Sequence, residues 1–174
     1  MRTQNLKLQV ITLSVIIFAL AIFRLLPHLP NVSPVAAMAL FGGAYFADKK
    51  LAFIVPFAAL LLSDLLLGLH NTMIFVYAGF ALTVVIGFMI KNRVSVTNTA
   101  FAVLASSVLF FLLTNFGAWM TSPLYAKTAE GLMQAYAAGI PFFQNSLIGN
   151  LVFAAIIFGG YQLLQKNVAA LKAV

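Results

Sequence analysis

The chain has 174 residues, 63% of them hydrophobic and only 7% charged, with a net charge of +7 and no cysteine. A soluble domain carries about 25% charged residues, so this sequence has too little polar surface to coat a water-soluble globule, and lipid is its expected solvent. The cations lie in short segments between apolar runs. That reads as a topology signal and not as a nucleic-acid surface, and the missing cysteines exclude disulfides, Cys-ligated zinc and a Cys nucleophile.

At about 20 residues per crossing, the length allows six transmembrane helices and no separate soluble domain. The expected fold is an all-α, six-helix membrane bundle forming a single transmembrane domain over residues 1–174. The first apolar run is Val10–Leu26, closed by Pro27; it is read as a span and not as a signal peptide, because the rest of the chain is equally apolar. The second, residues 34–47, is short, at about 21 Å of helix. Ser33 is its expected N-cap and Pro34 its first helical residue, with Pro27–Ser33 dipping into the bilayer to meet it. Ala39, Gly43 and Ala47 make a small-residue stripe along it for close helix contact.

The third run covers residues 51–69 and contains Pro56 and Asp64; the fourth covers 73–90, the fifth 98–118 and the sixth 141–164. Between the fifth and sixth, Ala129, Leu132, Met133, Tyr136 and Ile140 follow helical spacing. Thr128 is the cap and Glu130 sits in the first turn, while Gly139 and Pro141 mark the end. This predicts a short amphipathic surface helix, distinct from the sixth span.

With six spans and a cytoplasmic N-terminus, the inside segments hold Arg2, Lys7, Lys49, Lys50, Lys91, Arg93, Lys166 and Lys172, and the outside holds Arg24 and Lys127. That bias places both termini in the cytoplasm of a cell with the chain in its inner (plasma) membrane. The ionisable and amide groups then gather toward the outer face. They are Arg24, His28, Asn31 and Ser33 around the first loop; Asp64 and His70 on the third helix; Thr114, Asn115 and Trp119 on the fifth; and Gln144, Asn145 and Asn150 on the sixth. Intramembrane ionisable groups mark function by default, and polar side chains confined to one half predict an outward-facing pocket. The candidate substrate-binding residues are Arg24, Asn31, Ser33, Asp64, His70, Asn115, Trp119, Phe142 and Asn145. Arg24 would meet an anionic group, and the positive end of the helix starting at Pro34 would aim into the same pocket. The plain alternative is that Arg24 and Asp64 pair with each other and the asparagines bond helix to helix.

The stretches PNVSPVAAMALFGGAYF (Pro30–Phe46), SDLLLGLH (Ser63–His70), TNFGAW (Thr114–Trp119), YAKTAEGLMQAY (Tyr125–Tyr136) and IPFFQN (Ile140–Asn145) resemble a family of small bacterial membrane proteins of unknown function that carry a transport-protein label. That family in turn resembles the substrate-binding S components of energy-coupling-factor vitamin transporters. The resemblance implies six helices, cytoplasmic termini and a ligand pocket near the outer face, lidded by the loop after the first helix. Many S components carry an Ala-xxx-Ala contact in the first helix for their coupling subunit; Ala19 and Ala21 do not match that spacing.

The expected function is uptake of a small organic solute of vitamin or precursor class, with that ligand, membrane lipids and energising transporter subunits as partners. No cofactor, metal or nucleic acid is expected. An intramembrane lipid-modifying enzyme is the weaker reading: three acids and two histidines leave few options, and His-x4-His, Glu-x-x-His and Gly-x-Ser-x-Gly patterns are missing. A non-transporting subunit or chaperone is the remaining alternative, drawn from the small-residue stripe.

Overall fold

The computed structural model describes residues 2–27 and 29–172. His28, expected in the outer first loop, lies outside them. Among the described residues there are six α-helices, a terminal 3-10 turn at Ala169–Leu171 and no strand. The helices are α1 (Arg2–Phe23), α2 (Val35–Tyr45), α3 (Lys49–Leu67), α4 (Met73–Ile90), α5 (Val96–Thr121) and α6 (Ala129–Asn167). All except α2 are long and apolar enough to cross a membrane.

The helix starts follow local chemistry where a capping side chain is present. Asp48 accepts from the Lys50 N–H at 2.7 Å, Ser95 from the Asn98 N–H at 3.1 Å, and Thr128 from the Gly131 N–H at 3.2 Å. Each bond satisfies a donor that the first helical turn leaves free. Ser33 is different. Pro34 occupies the N-cap position of α2 without a side-chain bond, and the Ser33 hydroxyl is enclosed and unpaired. The helix therefore begins one residue later than its composition suggests.

Helix α2 is the centre of the bundle. Ala36 through Ala44 are all buried, as expected of a helix that is apolar on every side. Its tightest contact is with α4. A Cβ on Gly43 would lie 2.1 Å from the Val84 carbonyl oxygen, and one on Gly87 would lie 2.5 Å from the Leu40 carbonyl oxygen. Only glycine at both places lets the two backbones meet. The small-residue stripe is thus used inside the chain, with Ala39 fully buried and Gly43 against α4.

At the other end of α2, the Lys91 ammonium donates to the Phe46 and Ala47 carbonyls at 2.8 and 3.1 Å, meeting the negative end of the helix with a cation. This ties the ends of α2 and α4 together. Gln9, Tyr45, Lys91, Gln162 and Gln165 surround one cavity at this level, so the lysine-bearing ends of α1, α4 and α6 lie with the C-terminal end of α2 on one side of the bundle. We call it the basic end.

Two boundaries differ from expectation. Helix α1 begins at Arg2, ahead of the apolar run that starts at Val10, and Gln9 is its first buried residue among those described. The stretch expected as a separate surface helix is the first part of α6, which runs unbroken through Pro141. Proline costs a helix about 3 kcal/mol through a lost bond and a ring clash, but both sides of Pro141 are held on α5. Tyr136 donates to the Leu112 carbonyl at 3.0 Å, and Phe143 meets Phe111 at 5.0 Å. At 39 residues, α6 is about 58 Å long and forms an antiparallel hairpin with α5.

Candidate functional site

Among its described residues, the connection between α1 and α2 is largely exposed and is tied to α6 in its second half. The first three amides past α1 bond back three residues, from Arg24 to Ala21, Leu25 to Ile22 and Leu26 to Phe23. Asn31 then adopts φ of 62°, a left-handed conformation that asparagine tolerates better than most residues. From α6, Asn145 donates to the Pro30 carbonyl at 3.2 Å and Ser146 to the Asn31 carbonyl at 3.1 Å. Gly149 sits under Val32. Backbone groups that would otherwise lack partners are thereby satisfied by side chains of α6.

Beside this loop, α5 and α6 part to leave a cavity of about 270 Å³. Asn31 contributes from the loop; Ser107, Phe110, Phe111, Thr114 and Asn115 contribute from α5. Gly139, Phe142, Phe143, Ser146 and Asn150 complete it from α6. Along α5 the lining begins about 16 Å from the helix start and ends about 28 Å from it, which is the half away from the basic end. Gly139 is needed there, since a Cβ would lie 2.3 Å from Asn115 Oδ1. Asn150 donates to Ser107 Oγ at 3.1 Å, bridging α5 and α6 at the cavity's limit toward the basic end. Among the described residues no charged side chain is in the lining.

The structure divides the nine sequence candidates. Asn31, Asn115 and Phe142 line the cavity, and Asn145 fixes the loop at its edge. Ser33 is beneath that loop and outside the lining. Arg24 and Asp64 form a separate cluster: one guanidinium nitrogen donates to Asp64 Oδ1 at 2.8 Å, and the other donates to the Ser63 hydroxyl and the Leu60 carbonyl. Tyr77 donates to Asp64 Oδ2 at 2.9 Å. Asp64 is 3% exposed and each of its oxygens has a partner. The pair ties α1, α3 and α4 together, and Arg24 has no place in the cavity wall.

His70 and Trp119 stabilise turns. His70 Nδ1 bonds the Thr72 hydroxyl at 2.8 Å and is exposed. Trp119 donates to the Ala126 carbonyl at 2.9 Å, and Lys127 lies over its ring at 5.9 Å while bonding the Trp119, Ser122 and Tyr125 carbonyls. Nearby, the Glu130 carboxyl is held below its ordinary value of 4.5, by its own backbone N–H first and by the Thr128 hydroxyl second.

Sequence reasoning did not select Ser107, Phe110, Phe111, Thr114, Gly139, Ser146 or Asn150 for the site. Their spacing carries the signal: 107, 111 and 115 recur every four residues on α5, and 139, 142, 146 and 150 recur every three or four on α6. Each series lies on one helical face. It also expected little polar chemistry at the basic end. In the structure, Gln9, Tyr45, Asn92, Gln162 and Gln165 line a second cavity of about 520 Å³ there.

These features define an all-helical chain with five helices long and apolar enough for a bilayer, a buried short helix and a neutral cleft within a helix hairpin. The chain belongs to a family of unknown function (DUF6580), which it matches over residues 4–171. No curated protein and no solved structure matches it.

Proposed function

We propose that the chain is a multi-pass membrane protein that captures a small organic solute, of vitamin or precursor class, in the α5–α6 cavity and carries it across the bilayer. The observation that supports this most is the cavity itself. It joins four phenylalanine rings to a few amide and hydroxyl groups in an otherwise apolar helical body, the mixture that suits small-molecule sites. Its edge is the α1–α2 loop, which agrees with the lid position implied by the resemblance to S components. The positive-inside rule places the basic end and both termini in the cytoplasm, so the cavity belongs to the outer half of an inner-membrane protein.

The ligand contacts are Asn31, Asn115, Phe142 and the residues opposite them, with Asn145 holding the loop. Arg24 and Asp64 support the bundle instead. The subunit reading loses its main motive, because Gly43 of the small-residue stripe is spent on α4.

Mass spectrometry of small molecules retained by the chain in mild detergent tests the proposal. The expected result is a retained organic solute that is lost when Phe143→Ala and Asn115→Leu alter the wall. Retention unchanged by both variants, or a persistent hetero-assembly without a small molecule, would refute solute capture at this site.

A further inference from the structure

We infer that the α5–α6 cavity takes a compact ligand that donates hydrogen bonds and carries no negative charge. This rests on reading the cavity as a ligand site, and it follows from how the polar groups of the wall are already committed. Thr114 donates to the Phe110 carbonyl at 2.8 Å, and the Asn115 amide nitrogen donates to the Phe111 carbonyl at 2.9 Å. Ser146 donates to the Asn31 carbonyl, and the Asn150 amide nitrogen to Ser107. Four of the six polar side chains of the wall thus turn a donor toward the protein, and Asn31 and Ser107 are the other two.

The oxygens of these groups remain. Among the described residues nothing donates to Asn115 Oδ1 or Asn150 Oδ1. Asn150 is 6% exposed, yet its oxygen is not among the fully enclosed unpaired atoms. What exposure it keeps is toward the cavity that it lines. A carbonyl oxygen facing a largely apolar cavity has no protein donor there, and a ligand N–H or O–H supplies one. The phenylalanine faces add negative quadrupole potential, which favours a cation over an anion.

Among the described residues an anion would find no cation in the lining, only neutral donors such as the Asn31 amide and the Ser107 hydroxyl. Arg24 and Lys127 are the two cations away from the basic end. Arg24 is bound to Asp64, Ser63 and the Leu60 carbonyl, and Lys127 is bound to three turn carbonyls. Helix α2 places no residue in the lining. A carboxylate or phosphate would exchange its hydration for a few neutral donors, with no countercharge among the described lining residues.

A matched set of one-ring probes tests this on the purified full chain by isothermal titration calorimetry: 2-phenylethanol, 2-phenylethyl methyl ether, 2-phenylethylamine and phenylacetate. The alcohol and the amine are expected to bind. The ether, which lacks the donor, is expected to bind about three- to ten-fold more weakly than the alcohol. Phenylacetate is expected to bind at least about ten-fold more weakly than the alcohol. Asn115→Leu and Asn150→Leu should each erase the preference for alcohol over ether; if one of them fails to fold, the other carries the comparison. Equal binding of alcohol and ether, tighter binding of phenylacetate, or no binding by any probe would overturn the inference. A chain that binds the donors but moves no solute across a bilayer refutes transport and keeps the ligand class. A chain that imports only anions does the reverse.

Discussion

Replacing Asp64 by leucine removes the acceptor that holds Arg24 at 2.8 Å and Tyr77 at 2.9 Å. Breaking a buried ion pair by deleting one partner costs about 3–5 kcal/mol, because the other charge is left uncompensated. Arg24 keeps two other acceptors and its side chain is 14% exposed, so Asp64→Leu should fall near the lower end, at about 3 kcal/mol. Arg24→Met strands a carboxylate that is only 4% exposed and has Tyr77 as its remaining donor. It should be the worse change, at about 4–5 kcal/mol. The double variant removes both charges, and its stability should return to within about 1 kcal/mol of the parent. Equilibrium unfolding in mixed micelles, followed by circular dichroism, measures all four corners of the cycle. Single variants within about 0.5 kcal/mol of the parent, or a double variant as unstable as the sum of its parts, would refute the sealed-pair account. The same double variant should retain solute capture, since neither residue lines the cavity.

Gly43→Ala places a methyl group against the Val84 carbonyl and should destabilise by about 1–3 kcal/mol in the same assay, whereas Gly159, with open space around it, should accept alanine with a gain of about 0.5–1 kcal/mol; equal effects at the two sites would remove the backbone contact from the argument. The chain has no cysteine, so single cysteines report topology directly. Ala126→Cys is expected to react with a membrane-impermeant thiol reagent in intact cells and Asn92→Cys only after permeabilisation; the opposite pattern would invert the orientation.

Where an apolar run is bounded by turn residues, its sequence specifies the helix closely. Helix α4 occupies Met73–Ile90, the limits set by Asn71-Thr72 on one side and Lys91-Asn92 on the other. The fifth and sixth runs were harder, for a physical reason. Gly139 and Pro141 are local stop signals, but a stop signal competes with lateral packing, and the contacts of Tyr136 and Phe143 with α5 prevail. The first turns of α1 look like a polar tail until Gln9 is seen against Tyr161.

The site was legible in part. Polar residues were expected to gather in the half away from the lysines, and Asn31, Asn115 and Phe142 do meet there. Which polar residues face each other depends on helix rotation, and a list of residue types does not contain it. Arg24 and Asp64, 40 positions apart, were expected as ligand contacts with a mutual pair as the plain alternative; only their distance separates the two.

The short central helix has a consequence for biogenesis. At 11 residues it covers about 16 Å, roughly half the thickness of a bilayer's hydrocarbon, so it cannot cross as an independent segment. The loop that leads into it gives its Pro30 and Asn31 carbonyls to side chains made 115 residues later. Until α6 emerges from the ribosome, those carbonyls must be satisfied by water or by the insertion machinery. If the chain is inserted as proposed, a nascent chain truncated before Asn145 is expected to leave these carbonyls without their α6 partners.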